Sequence, residues 1–314
     1  MLESQIIRRS LGVEIEAVCA FLGLGGNAEV QESLASILRA NGIGAKSRSY
    51  GHAPVDTDVA VETDASLHFE DSPFAGVRSA SLEVKTRILD GVEDFSRVLP
   101  KTLEIMRFAG VRVNNSCGMH VHVSVPEIDN DPRIVRSIYN LIHKYQYVIY
   151  GMCPKSRVTG RYCQPLPVAS NLLKGCRTMR CFKRALSTYD RYHIVNFTHL
   201  WDDVPRLEFR LFGSTLNPVK AINNVRLVCG LIDHAVRRSV QAVAQPLPND
   251  RRSLESMLVS CGFKVNSGIY STVSPEMRET GKWLLQRWFD LNGRVALKPK
   301  VANSGDAPSQ PDAG

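Results

Sequence analysis

The sequence predicts an α+β fold in which a largely antiparallel sheet is backed by helices. Three observations lead there. Short stretches alternating apolar and polar residues fill the first two thirds of the 314-residue chain, joined by helical segments of uneven length. The last third is helical in pattern. Strict strand–helix–strand alternation is absent, and so is a glycine-rich phosphate loop: Gly23-Leu24-Gly25-Gly26 has neither the Lys-Ser/Thr of a P-loop nor dinucleotide spacing, and reads as a turn.

Taken in order, Leu11 to Val18 alternates as a strand, and Glu29 to Asn41 has helical periodicity ended by Asn41-Gly42. Val59 to Leu67 and Ser81 to Leu89 read as short strands separated by turn-rich sequence around Asp71-Ser72-Pro73. A helix is expected from Val92 to Ala109, kinked or split at Pro100. Val121, Val123 and Val125 alternate with His120, His122 and Ser124, so a strand follows. Asp131-Pro132 caps a helix running to Tyr150. Gly151 to Gly175, with three prolines, reads as a long irregular connection of the kind that forms lids or binding loops. Ile194 to His199 and Arg206 to Phe212 are a strand pair. Asn217-Pro218 opens a long helix to Val243 with apolar Ile222, Val225, Leu231 and Ile232. Helices are expected at Arg251 to Cys261 and Pro275 to Leu291. Residues 1–298 thus form one domain with a helical C-terminal third, and 299–314, rich in Pro, Ser, Gly, Asp and Ala, form a disordered tail.

Apolar content of 44% and charged content of 22% are ordinary for a globular protein. No run approaches the ~20 apolar residues of a membrane span, and Met1 to Arg9 lacks the apolar core of a signal peptide. A cytoplasmic protein with no membrane partner is therefore expected, its eight cysteines as free thiols. The spacings of Cys153, Cys163, Cys176 and Cys181 match no common zinc site, and Cys117 reads as a packing residue. The net charge of +8 favours anionic partners. Its excess concentrates between Lys174 and Arg191, where Arg177, Arg180, Arg184 and Arg191 fall on one helical face opposite Met179, Phe182 and Leu186. That face is either simply solvated or a contact for phosphate or another polyanion.

The chemistry centres on the strand following Asn114-Asn115-Ser116-Cys117-Gly118. Its period places His120 and His122 on one face, roughly 7 Å apart, with Ser124 one step further. Gly118 gives the backbone before the strand freedom denied to other residues. Alone, the histidines fit a wet strand and a ligand site equally. The carboxylates decide between these. Glu14 and Glu16 share one face of their strand, Glu208 and Arg210 one face of theirs; Glu83 and Asp64 lie on two more. On a common sheet face these groups conflict, since carboxylates 4 Å apart repel by about 4 kcal/mol at an effective dielectric of 20. A divalent cation resolves the conflict, and oxygen ligands with an imidazole suit Mg²⁺ or Mn²⁺ better than zinc. Arg210 beside Glu208 adds a fork suited to phosphate.

Glu14-Ile15-Glu16, Cys117-Gly118-Met119-His120-Val121-His122 and Leu207-Glu208-Phe209-Arg210 come in the order and spacing of the glutamine synthetase-like carboxylate–amine ligases. The chain most resembles the amidoligase branch of that superfamily. Asn114 through Ser124 is similar to the Asn-x-Ser-x-Gly-Met-His-x-His-x-Ser pattern of glutamine synthetase. Asp64-Ala65-Ser66 resembles the branch's Asp-x-Ser, and Glu83 to Leu89 its Glu-x-x-Ser-Pro-x-Leu segment. Thr86 and Arg87 depart from Ser-Pro there, and Arg87 either alters a substrate pocket or marks divergence. The resemblance covers residues 11 to 243.

The resemblance implies a glutamine synthetase catalytic-domain-like fold and an ATP-dependent ligase joining a carboxylate to an amine through an acyl phosphate, with two divalent metals. Glu14, His120 and Glu208 would hold the metal nearest the nucleotide, and Glu16 and Glu83 the one nearest the reacting carboxylate. His122 and Ser124 would contact the nucleotide, and Arg210 would stabilise the transferring phosphoryl group. Asp64 would orient the amine or take its proton, while Asn196, Arg87 and Arg191 would face the substrates. These would be small-molecule or peptide carboxylates and amines, and the basic helix could hold an anionic acceptor. No oligomeric state is assigned. Two rivals are a metal-dependent hydrolase using the same His/Glu cluster and a nucleic-acid-binding protein using the 174–191 helix, although no recognised nucleic-acid motif is present.

Overall fold

The computed structural model describes residues 9–19, 26–49, 51, 54–64, 66–67, 80–167, 173–187, 191–264 and 273–292. The expected turns at Gly23 to Gly25 and Asp71 to Pro73 and the expected tail 299–314 lie outside them. Among the described residues eight strands form one sheet: β1 (Ser10–Cys19), β2 (Ala45–Ser47), β3 (Val59–Thr63), β4 (Ala80–Thr86), β5 (Leu89–Asp90), β6 (Gly118–Ser124), β7 (Val195–Asn196) and β8 (Arg206–Gly213). Their order is β2-β3-β4-β1-β6-β8-β7, with β5 pairing one end of β1. Every pairing is antiparallel except β2 with β3. The α+β class is as the alternation predicts.

The helices are α1 (Asn27–Ala40), α2 (Gly91–Phe108), α3 (Arg133–Tyr150), α4 (Lys155–Thr159), α5 (Met179–Leu186), α6 (Pro218–Arg237), α7 (Arg251–Ser260) and α8 (Pro275–Asn292). One continuous core joins the apolar sheet face, through Val13, Ile15, Leu82, Val84, Met119, Val121, Leu207 and Phe209, to the inner faces of α1, α2, α3 and α6. Gly42 ends α1 as expected, with φ at 78°.

Several boundaries depart from the expectation, each for a tertiary reason. Pro100 neither splits nor ends α2, whose Phe95, Val98, Leu99, Leu103 and Met106 are buried on both sides of it. Packing there outweighs the lost backbone bond. The connection after α3 is not wholly irregular, since α4 forms within it. The strand expected at Ile194 to His199 is only two residues long and passes into a 3₁₀ turn at Thr198–Trp201. α6 stops at Arg237, short of Val243, because α3 captures the following backbone: Asn140 Nδ2 donates to Val240 O at 2.8 Å, and Ser137 Oγ accepts from Val240 N at 3.0 Å. The basic helix is also shorter than its charge pattern. α5 is eight residues long, capped by Thr178 accepting from Cys181 N, so Arg177 and Arg191 lie outside it while Phe182 and Leu186 are buried as expected.

Candidate active site

Strand register assembles the site. Residues paired across antiparallel strands share a sheet face. One rung runs Lys85–Glu14–His120, a second Glu62–Glu83–Glu16, and a third Gly12–His122–Glu208–Asn196. All project away from the apolar core. Between β6 and β8 the register shifts: Met119 pairs Phe212 and Val121 pairs Phe209, leaving Arg210 and Leu211 opposite His120. This bulge keeps Phe209 and Phe212 both in the core while Arg210 reaches the cleft. Strict alternation would have put Phe212 among the carboxylates.

The groups lie close together in a cleft of about 810 Å³. His120 Nδ1 is 3.0 Å from Glu14 Oε2 and 3.5 Å from Glu208 Oε1, and its Nε2 is 3.3 Å from Glu16 Oε1. His122 Nε2 is 3.3 Å from Glu14 Oε1, yet this buried nitrogen makes no aligned hydrogen bond. Asn196 Nδ2 donates to Glu208 Oε2 at 2.8 Å, while its Oδ1 accepts from Thr198 N and Oγ1. Gly118 N donates to Glu16 Oε2, and Arg210 pairs with Glu208 Oε1. Lys85 Nζ bridges Glu83 at 2.9 Å and Glu62 at 3.1 Å.

These contacts set the charge states. Burial opposes ionisation of Glu14, but the charge of His122 and the hydrogen bond from His120 hold it well below the usual carboxylate range. Burial likewise opposes charging of His122, and the Glu14 carboxylate overcomes it, raising the imidazole. Glu83 goes the other way: burial first and the Glu14 charge second push it to about 9, despite Lys85. One carboxyl of the cluster therefore keeps its proton at neutral pH.

Three triads place one ligand atom each within 4.8 Å of the others: Glu14, Glu83 and His120; Glu14, His122 and Glu208; Glu16, Asp64 and Glu83. Such oxygen-rich sets, two of these three with an imidazole, fit Mg²⁺ or Mn²⁺. The bare Nε2 of His122 and the proton on Glu83 are what a cation would satisfy and displace. His122, which the resemblance assigns to the nucleotide, is thus also at ligand distance from two carboxylates.

Of the residues singled out from the sequence, Glu14, Glu16, Asp64, Glu83, His120, His122, Arg191, Asn196, Glu208 and Arg210 all line this cleft. Asn196 donates to Glu208 from its place in the cleft. Ser124 and Arg87 line an adjoining groove of about 750 Å³, joined to the cleft at Glu14, Lys85, His122 and His199. Arg87 is engaged there by Asp94, with Asp58 at 3.4 Å.

Arg157, Lys85, Tyr162, Tyr192 and His199 are additions. Lys85 was legible, since it repeats the alternation of Glu83. Arg157 was not, because α4 brings it in from the long connection, 3.7 Å from Glu16 Oε2. It also explains Gly118 differently from the expectation: that glycine has no positive φ, but an added Cβ would meet Arg157 Nη2 at 2.5 Å. The space is needed, not the conformational freedom.

With this geometry in hand, comparisons with known proteins add three findings. A family model described as "Putative amidoligase enzyme" matches residues 7–232. No curated protein matches the sequence. Among solved structures, the crystal structure of the complex between prokaryotic ubiquitin-like protein Pup and its ligase PafA is similar at 12% identity and a TM-score of 0.43, over 94% of this chain and 67% of that one.

Proposed function

The chain belongs to the amidoligase family, and we propose that it is an ATP-dependent carboxylate–amine ligase forming an amide or isopeptide bond through an acyl phosphate. The observation that carries this reading is the convergence of Glu14, Glu16, Glu83, Glu208, His120 and His122 on one sheet face beside the Arg210 guanidinium.

A carboxylate is a poor electrophile. One of its oxygens attacks the γ-phosphorus of ATP and ADP leaves. The amine then attacks the acyl carbon, phosphate leaves with the C–O electron pair, and the nitrogen sheds its proton. The difficulty is bringing an anionic carboxylate to a triphosphate. Glu14, His120 and Glu208 would hold one divalent cation and Glu16 with Glu83 a second, Mg²⁺ or Mn²⁺, which when bound would neutralise the phosphates and the carboxylate.

The protein groups do the rest. Arg210, half-buried beside Glu208 with its buried Nε unpartnered, has guanidinium N–H to offer the transferring phosphoryl oxygens. Asn196 fixes the second oxygen of Glu208, so that carboxylate cannot rotate away. Asp64, close to Glu16 and Glu83, would take the ammonium proton. His122 stands where cleft and groove meet, and Ser124 lies in the groove with Pro54, Val55 and Val204. A nucleotide base between those apolar walls would direct its phosphates past His122 to Glu14.

The test is product analysis with pooled amines and carboxylates and Mg-ATP. ADP and phosphate should form only when both substrates are present, with a new amide in the mass spectrum. Glu14→Ala and Glu208→Ala should each abolish this turnover in folded protein. Product without ATP would overturn the reading.

A further inference from the structure

A second concave site lies away from the cleft. It occupies about 610 Å³ between the first half of α3 and the extended segment after α6, and is closed on a third side by Leu173 and Lys174. Four cations line it, Arg133, Arg136, Lys174 and Arg238, against one carboxylate, Asp131. That carboxylate is already engaged by Arg133, whose Nε donates to it at 2.8 Å. Lys174 and Arg238 are exposed and have no acidic partner among the described residues. Arg136 Nε is buried without an acceptor. The first turn of α3 carries no acid, so Arg133 and Arg136 stand where the helix dipole favours anions, not cations.

The groove adjoins α5 through Arg136. Arg136 donates to Cys176 O and lies over the Phe182 ring at 5.9 Å, which ties the groove wall to that helix. Arg177, Arg180, Lys183 and Arg184 are all exposed there. The chain from Leu186 to Arg191, a cleft residue, spans at most about 18 Å fully extended. A cationic track therefore runs from the groove over α5 to within that reach of the cleft.

We infer that this track is the docking surface for an acidic peptide segment of a macromolecular substrate. The inference rests on the ligase reading only for the word substrate; the binding stands apart from it. Its eight cations, four in the groove and four on or just before α5, are more than one small anion engages. Among the described residues no aromatic side chain lines the groove to stack nucleic-acid bases. A peptide chain of carboxylates meets this charge.

The test is fluorescence anisotropy of the full chain with three labelled probes of matched length: an oligoglutamate peptide, an oligoglutamine peptide and a single-stranded oligothymidylate. Each is titrated at low and at physiological salt. The oligoglutamate should bind in a salt-sensitive manner, tighter than the oligothymidylate, and the oligoglutamine should not bind. Lys174→Glu/Arg238→Glu and Arg180→Glu/Arg184→Glu should each weaken oligoglutamate binding at least tenfold. Circular dichroism and Mn²⁺ binding in the cleft should stay at wild-type values, which verifies folding. Tighter binding of oligothymidylate than of oligoglutamate, no oligoglutamate binding at all, or unchanged affinity in both folded double variants would overturn the inference. Loss of Mn²⁺ or ATP dependence in the wild type would sink the ligase reading while leaving this one standing.

Discussion

The two faces of β1, β4, β6 and β8 differ by one residue of strand phase. On the inner face Ile15, Leu82, Val121 and Phe209 are buried among apolar neighbours, and each contact favours the others. Burial of such a side chain contributes about 1.5–3 kcal/mol. On the outer face Glu16, Glu83, His122 and Glu208 are also largely withdrawn from water, but their charges conflict. Lys85, Arg157 and Arg210 compensate only in part. One face thus holds the backbone rigid so that the other can keep unfavourable charge in place, as the proposed ligase site requires.

Adjacent residues of β4 break the comparison most sharply. Leu82→Ala should cost about 2–5 kcal/mol by urea unfolding, the usual penalty of a core cavity. The surviving folded fraction should still bind Mn²⁺. Glu83→Gln, one residue on, should leave metal-free stability at neutral pH unchanged or raised, because it removes a buried carboxyl that resists ionisation. It should weaken Mn²⁺ by more than the ~10–100-fold typical of losing an outer-shell partner. Equal destabilisation by the two substitutions would show that the outer face also holds the fold together.

How much of this was legible in the sequence follows from the same contrast. Alternation along single strands located Glu14, Glu16, Glu83, His120, His122 and Glu208, because strand period alone decides which face a residue takes. Register is a property of strand pairs, so the rungs joining Glu83 to Glu16 and His122 to Glu208 were invisible. The bulge at Arg210-Leu211 left one trace, the consecutive apolar pair Leu211-Phe212 that breaks the alternation. Arg157 left none, since a loop residue's destination depends on tertiary packing. The end of α6 was misread for a related reason: Ser137 and Asn140 on another helix hold Val240 extended.

The pH dependence sharpens the electrostatic side. Glu83 titrates near 4.5 in the unfolded chain and about 9 in the folded, metal-free one. Between those values the folded state keeps a proton that the unfolded state has lost, so this group's contribution is full below pH 4.5 and falls as pH rises to about 9. Thermal unfolding in EDTA should show that decline in the wild type and a flatter profile in Glu83→Gln. Mn²⁺ binding at pH 7 should release about one proton, measured by calorimetry in buffers of different ionisation enthalpy. Identical pH profiles for wild type and variant would remove Glu83 as the protonated member.

The smallest effect is expected from Arg87, one of two arginines that the resemblance places with the substrates. Arg87 and Arg210 are each paired with carboxylates, but in different settings. Arg210 is half-buried, paired with Glu208, and lines the cleft. Arg87 is over a quarter exposed and joins Asp94 and Asp58 at the groove rim, where solvent screens the pair. Exposed ion pairs contribute about 0–1 kcal/mol, so Arg87→Ala should shift stability by no more than that. Because Asp94 and Asp58 hold Arg87 away from the carboxylate cluster, the KM for both ligase substrates should stay within about twofold, well under 1 kcal/mol. Arg210→Ala should instead lower kcat by at least about a hundredfold, the scale of losing one preorganised donor to a developing charge. A large rise in KM on Arg87→Ala would mean that the groove rim takes part in substrate binding and would extend the active face beyond the rungs of β1, β4, β6 and β8.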